Sequence, residues 1–172
     1  MKINMRLDHI SCIIPRKKEE RIISEIIYSD RTRTTVSVRP ETVIQWVADR
    51  NYINLKLVRR LSQELNYQRK GAPLPLGMHD VFLPIHLVEE MRKGYACYGF
   101  CNAAEQDADV LPVPGERRQS LLRYRNGTEL LVDLKPDHLS KCLSMAVATH
   151  RRFIRKVTIE GYPLCASRYG IA

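Results

Sequence analysis

The chain is poor in acidic residues relative to basic ones, with 19 Asp and Glu against 28 Lys and Arg, and aromatics make up 7% of it, as one Trp, three Phe and eight Tyr. The sparse aromatics are not interleaved with basic residues as in RNA-binding strands, which favours a duplex over single strands as a nucleic-acid ligand. No apolar run approaches the ~20 residues a membrane-spanning helix needs. The start, MKINMRLDHISCIIP, has no apolar core or cleavage site of an export signal, so a cytoplasmic location is expected. No G-x-x-x-x-G-K-[ST] or G-x-G-x-x-G loop marks a phosphate cradle. H-E-x-x-H and G-x-S-x-G are absent as well, so no sequence element announces an enzyme or a cofactor.

What is present is positive charge, unevenly spread. The formal net charge is +9, and residues 1–70 hold 15 Lys and Arg against 8 Asp and Glu. Residues 71–125 are near neutral, with 6 against 7, and residues 126–172 hold 7 against 4. An excess of this size points to an acidic partner, whether nucleic acid, an anionic surface or an acidic protein. A generally basic, soluble protein is the plainer alternative.

Hydrophobic patterning predicts the elements. His9–Pro15 and Thr32–Val38 read as strands, and Arg21–Tyr28, with four isoleucines, as a short helix. Arg16–Glu20 reads as a charged connector, and Glu41–Val47 fits helix or strand. Asn54 is suited to cap a helix from Leu55 to about Tyr67, with Val58, Leu61 and Leu65 on one face and Lys56, Arg59, Arg60 and Gln63 off it. Val81–Ile85 and Tyr95–Phe100 are candidate strands, and Ala103–Gly115 reads as an exposed acidic and Pro-rich loop. Asn126-Gly127 between alternating runs predicts a hairpin with a type I′ turn. From Pro136 a stripe through Leu139, Ala146, His150 and Phe153 to Val157 predicts the longest helix.

The expected fold is α+β: antiparallel hairpins or sheet, packed with this long C-terminal amphipathic helix and a basic mid-chain helix. Residues 1–102 would form an N-terminal subdomain, residues 116–160 a hairpin–helix subdomain, and residues 161–172 a tail. One compact domain is the alternative.

Candidate chemistry is thin. The cysteines are odd in number and scattered, which argues against a disulfide framework. His86, Cys97 and Cys101 form a weak zinc candidate without usual metal-knuckle spacing. Glu89-Glu90 and Asp107/Asp109 are the acids a magnesium-dependent nuclease would use, and read more simply as solvated surface charge. His150 lies on an apolar stripe and reads as a packed, hydrogen-bonded histidine. The basic constellations carry more. Lys56, Arg59 and Arg60, then Arg69 and Lys70, mark the mid-chain helix, and Arg151, Arg152, Arg155 and Lys156 mark the last one. Arginine forks suit phosphate and base-edge recognition.

In order, these pieces resemble the ComK family of competence transcription factors, over about residues 9–155. ISCIIP with RIISEIIY, then TTVSVRPETVI, are similar to the family's opening elements. LKLVRRLSQELNYQRKGAPLPL stands at its basic region, followed by VFLPI and YACYGF. LLRYRNGTELLVDLKPDHLSKCLSMA is similar to its N-G hairpin and terminal helix. The family's C-x-x-x-G-S-S-x-x-G-R signature is replaced by ADRNYINLKLVRR. The resemblance implies a transcription activator without cofactor that binds A/T-rich double-stranded DNA, largely through the minor groove, as a homo-oligomer; a protein regulator is a further candidate partner. A protein-interaction adaptor or anti-repressor is the second expectation.

Overall fold

The computed structural model describes residues 5–94, 97–104 and 108–158. Two hairpin systems build the frame. β1 (Ile10–Lys18) pairs with β2 (Arg21–Tyr28), and β2 with β3 (Arg33–Val36), all antiparallel. α1 (Pro40–Arg50) and α2 (Leu55–Asn66) follow. The chain then returns through β4 (Leu74–Pro75), β5 (Val81–Ile85), a short α3 (Val88–Arg92) and β6 (Gly99–Asn102) to complete a six-stranded sheet in the order β3-β2-β1-β6-β5-β4. β7 (Ala108–Val113), β8 (Glu116–Tyr124) and β9 (Glu129–Val132) form a second antiparallel sheet, and α4 (Pro136–Thr158) ends the described chain. The class is α+β, with the long C-terminal helix and the basic mid-chain helix in place.

Arg21–Tyr28 is a strand, not the short helix its isoleucine spacing suggested. Ile26 joins the core cluster under α1 and α2, whereas the next residue, Ile27, joins the cluster beneath the second sheet. Neighbouring residues of a strand point to opposite faces, so a sheet covered on both sides accepts apolar residues at i and i+1. β-branched side chains add to the preference for extended backbone. The expected loop at 103–115 likewise contains a strand. β7 pairs with β8 from Ala108↔Tyr124 to Pro112↔Ser120, leaving its acidic and proline residues on an edge where proline's missing N–H is harmless.

The hairpin at Asn126-Gly127 forms, with a different turn. Gly127 alone of the pair takes a positive φ, +85°, and donates its N–H to the Tyr124 carbonyl. The turn therefore has Arg125 and Asn126 at its centre and glycine in the left-handed position after it, the three-residue alternative to type I′. Asn126 Nδ2 also donates to the Ser29 carbonyl at 3.2 Å, fastening this tip to the β2–β3 turn.

The layers follow from these faces. Val43, Ile44, Val47 and Ala48 of α1, with Leu55 and Val58 of α2, cover one side of the large sheet. Leu122, Leu130 and Val132 of the small sheet, with Leu139 and Ala146 of α4, cover the other. The far part of α4 rounds the β4 edge, so that Phe153 enters the first cluster. His150 Nε2 lies 2.8 Å from the Gly77 carbonyl and anchors α4 to the β4–β5 turn.

One ion network ties β1, β2, β3 and α3. Arg16 contacts Glu25 at 2.7 Å and both Glu89 and Glu90 at 3.1 Å, and Arg33 also reaches Glu25 at 2.8 Å. Burial alone would push the Glu25 carboxyl up, but hydrogen bonds from Arg16 and Arg33 outweigh it and hold it below the usual carboxylate range. Burial keeps the Glu90 carboxyl above that range. A carboxyl depressed in the folded state stabilises above its unfolded pKa, and that contribution is lost as pH falls through the folded value. Glu25→Gln is expected to cost about 2 kcal/mol at pH 7. In urea unfolding the gap to the parent chain should narrow as pH drops below about 4.

Candidate nucleic-acid interface

α2 starts where Asn54 Oδ1 accepts the Leu57 N–H at 3.1 Å. Its inner side is set by Leu55, Val58 and Ser62, all buried. It stops in a two-bond closure: Tyr67 N–H donates to the Glu64 carbonyl and Gln68 N–H to the Gln63 carbonyl, with Tyr67 left-handed at φ +51°. Glycine usually holds that position, since a Cβ costs energy there. The chain then folds back: Gln63 Nε2 donates to the Arg69 carbonyl at 2.8 Å and Ser62 Oγ to the Pro73 carbonyl. The loop carrying Arg69 and Lys70 is thereby held against the helix that carries Lys56, Arg59 and Arg60.

The result is a dense cationic face. Lys56, Arg59, Arg60, Arg69 and Lys70 are all exposed, and Glu64 is the one acid in residues 55–70. Lys56, Arg59 and Arg60 line one shallow depression with Gln45 and Gln63. Arg59 and Lys70 share the lining of the cleft beside it. Among the described residues, none of the five joins an ion pair, whereas Arg16, Arg33, Arg50 and Arg123 each do. At the hairpin tips the exposed cations Lys17, Lys18 and Arg21 are interspersed with Glu19 and Glu20, and Arg117 and Arg118 adjoin Glu116.

The basic end of α4 is divided by its own geometry. α4 meets α2 at Thr149, whose Oγ1 accepts from Asn66 Nδ2 at 3.0 Å. At 100° per residue, Arg151 stands about 200° around the helix from Thr149, and Arg152 and Lys156 within about 60° of it. Arg151 accordingly lines two grooves on the far side of α4, one with Ala108 and Tyr124 and one with Met78 and His79. Arg152 and Arg155 are exposed and Lys156 is half-buried. The structure thus brings Lys56, Arg59, Arg60 and Lys70 together and sets Arg151 apart from them.

The acids and thiols are placed otherwise. Glu89 is engaged by Arg16 and by Lys93, and Glu90 is 1% exposed beside Arg16. Asp109 lies on β7, and Asp107 falls outside the described residues. Cys97 donates to Glu41 Oε1 at 3.8 Å, whereas Cys101 belongs to the opposite core cluster, its thiol pushed up to about 12 by burial. His86 stacks on Tyr98 with ring centroids 4.2 Å apart. His86, Cys97 and Cys101 do not converge, and no group of three metal-ligating side chains forms among the described residues. No described helix is long and apolar enough to cross a membrane.

Comparison of the chain with protein-family models, curated proteins and solved structures finds no match.

Sequence reading overlooked Tyr67. The ring is 97% exposed, in a strained backbone position, two residues before Arg69-Lys70. Its signal was its place off the Val58–Leu61–Leu65 stripe. An exposed aromatic among cations suits contact with sugars and bases. Tyr67→Gly is expected to raise thermal stability by about 1 kcal/mol by relieving the left-handed strain. Duplex affinity, measured by fluorescence anisotropy, should fall in the same variant, separating the two effects.

Proposed function

We propose that the protein binds double-stranded DNA through the α2 face and acts as a transcription regulator. The reading is carried by one observation: five exposed cations on α2 and its tied-back loop, one acid among them, and no ion pair within the described fold to neutralise them. Phosphate oxygens would be the counter-charges, with Lys56, Arg59, Arg60, Arg69 and Lys70 as ligands. α2 spans about 18 Å at 1.5 Å per residue, long enough to follow a phosphate ridge or enter a groove. Arginine beside lysine allows point contacts and bidentate forks on the same face.

The ComK resemblance supplies the finer reading: an activator at A/T-rich promoter boxes, bound as a homo-oligomer. A narrow A-tract minor groove concentrates negative potential and draws inserted arginine, which Arg59 and Arg60 would provide. Arg152 and Lys156 lie within about 60° of the α2-facing side of α4 and would extend the contact, with Arg155, about 120° around the helix, and Arg151 outside it. No cofactor enters this reading and no reaction is assigned.

Arg59→Ala/Arg60→Ala is expected to weaken binding of an A/T-rich duplex by more than ~1 kcal/mol in a gel-shift titration. Lys17→Ala/Lys18→Ala, a charge-matched change at a hairpin tip, should leave it nearly unaltered. Equal losses in the two variants would remove the assignment to α2 in favour of diffuse attraction.

A further inference from the structure

Residues 51–54, the four between α1 and α2, are each held in place. α1 closes with Tyr52 N–H donating to the Asp49 carbonyl at 3.1 Å and Ile53 N–H to the Ala48 carbonyl at 2.8 Å. Tyr52 is left-handed at φ +55°, a position that glycine usually takes after a helix, and its ring is 71% exposed. Ile53 turns inward and joins Val47 and Ala48 of α1 and Leu55 and Val58 of α2 in one core cluster. Asn51 Nδ2 donates to the Leu76 carbonyl, and Asn54 caps α2. Two short helices joined by a fixed turn of this length, the second of them cationic, have the make-up of a helix-turn-helix.

The outer side of α2 fits the reading position of such a pair. At 100° per residue, Arg60 stands about 170° around the helix from the centre of the buried line of Leu55, Val58 and Ser62, and Lys56 about 130°. Arg59 stands only about 70° from that line, toward the cleft it shares with Lys70. Residues 55–63 contain no acid. The exposed Gln45 of α1 lines the same depression as Lys56, Arg59 and Arg60. Its Nε2 donates to Asp49 Oδ1 at 2.9 Å and keeps a second hydrogen for a phosphate. Size decides the groove. A helix with its side chains is about 10–12 Å across, which the ~12 Å major groove admits and the ~6 Å minor groove does not. We infer that α1 and α2 form a helix-turn-helix whose second helix lies in the DNA major groove, with Arg60 reading a guanine edge. Guanine offers O6 and N7 there, the pair of acceptors that a guanidinium fork matches. Arg59, Arg69 and Lys70 hold phosphates beside the groove, and Gln45 adds a phosphate contact from the first helix. Arg60 also neutralises the phosphates that flank the groove, so the whole face still displaces counterions. The inference rests on the proposed DNA-binding role and makes it more specific. It departs from the minor-groove insertion that the ComK resemblance implies.

A duplex selected by the full chain from a random pool is partly methylated with dimethyl sulfate. The reagent marks guanine N7, in the major groove, and adenine N3, in the minor groove. Bound and unbound duplexes are then separated by gel shift. The bound fraction is expected to be depleted about tenfold in N7-methylguanine at one or more positions, as loss of a bidentate contact allows. Arg60→Ala should relieve that depletion at one guanine per bound copy. Arg60→Lys keeps the charge and loses the fork, so it should relieve the depletion while keeping the salt dependence of the parent chain. Arg69→Ala should weaken binding and leave the methylation pattern as it was. Depletion confined to adenine N3, an even distribution of both marks, or a selected site without guanine would overturn the major-groove assignment and leave DNA binding standing. N7 depletion that persists unchanged in both Arg60 variants would overturn the role given to that residue, and the inference with it. Retention of no duplex from the pool would overturn the DNA reading as well.

Discussion

The large sheet is apolar on both faces, and the rest of the molecule is arranged to cover it. Ile26 and Ile27 lie side by side in β2 and serve different cores. At roughly 25 cal/mol per Å² of apolar surface, neither face could be left in water. α1 and α2 close one side; the small sheet and the first part of α4 close the other. Because α2 spends Leu55, Val58 and Ser62 on the sheet, its remaining perimeter is free to be charged. The same demand stretches α4 to 23 residues, from Leu139 in one core to Phe153 in the other.

The charge pattern has a thermodynamic side. Exposed ion pairs contribute little to stability, with a median of about 0–1 kcal/mol. Leaving the α2 cations unpaired is therefore cheap for the fold, although like charges on neighbouring turns repel by a few tenths of a kcal/mol. Acids are instead concentrated where they hold strands and α3 together, as Glu25, Glu89 and Glu90 do around Arg16. A partly buried network that would be damaging to break is kept apart from a cationic face that is left open to an outside anion.

Much of this was legible in the residues. The Asn54 cap, the VFLPI strand and the start of α4 after Leu134 each follow a local rule, and local rules sufficed; the buried side of α2 instead runs through Leu55, Val58 and Ser62, not through Val58, Leu61 and Leu65, because Ser62 finds an acceptor in the Pro73 carbonyl. Arg21–Tyr28 was misread because its isoleucines fit both a helical face and a strand buried on two sides; only the second sheet decides between them. Residues 103–115 were misread because acids and prolines imitate a loop when they lie on an edge strand. Within the candidate site, Lys56, Arg59, Arg60, Arg69 and Lys70 could be chosen from sequence, since they lie on one helix and the loop after it. The separation of Arg151 from Arg152 could not, because it depends on which side of α4 faces Asn66. The cleft joins Glu41 of α1 to Tyr98 before β6, which are far apart in sequence and meet only in the folded chain.

The central claim is that a set of about five cations on one face replaces the counterions of a polyanion. Each neutralised phosphate contributes a slope of about −0.9 to the logarithm of the binding constant against the logarithm of salt concentration. A titration of duplex DNA by the intact protein across a salt series measures that slope directly. The account predicts a straight line falling with a slope of about −4.5. A slope near zero would mean that the cations on α2 meet no phosphates, and would contradict it.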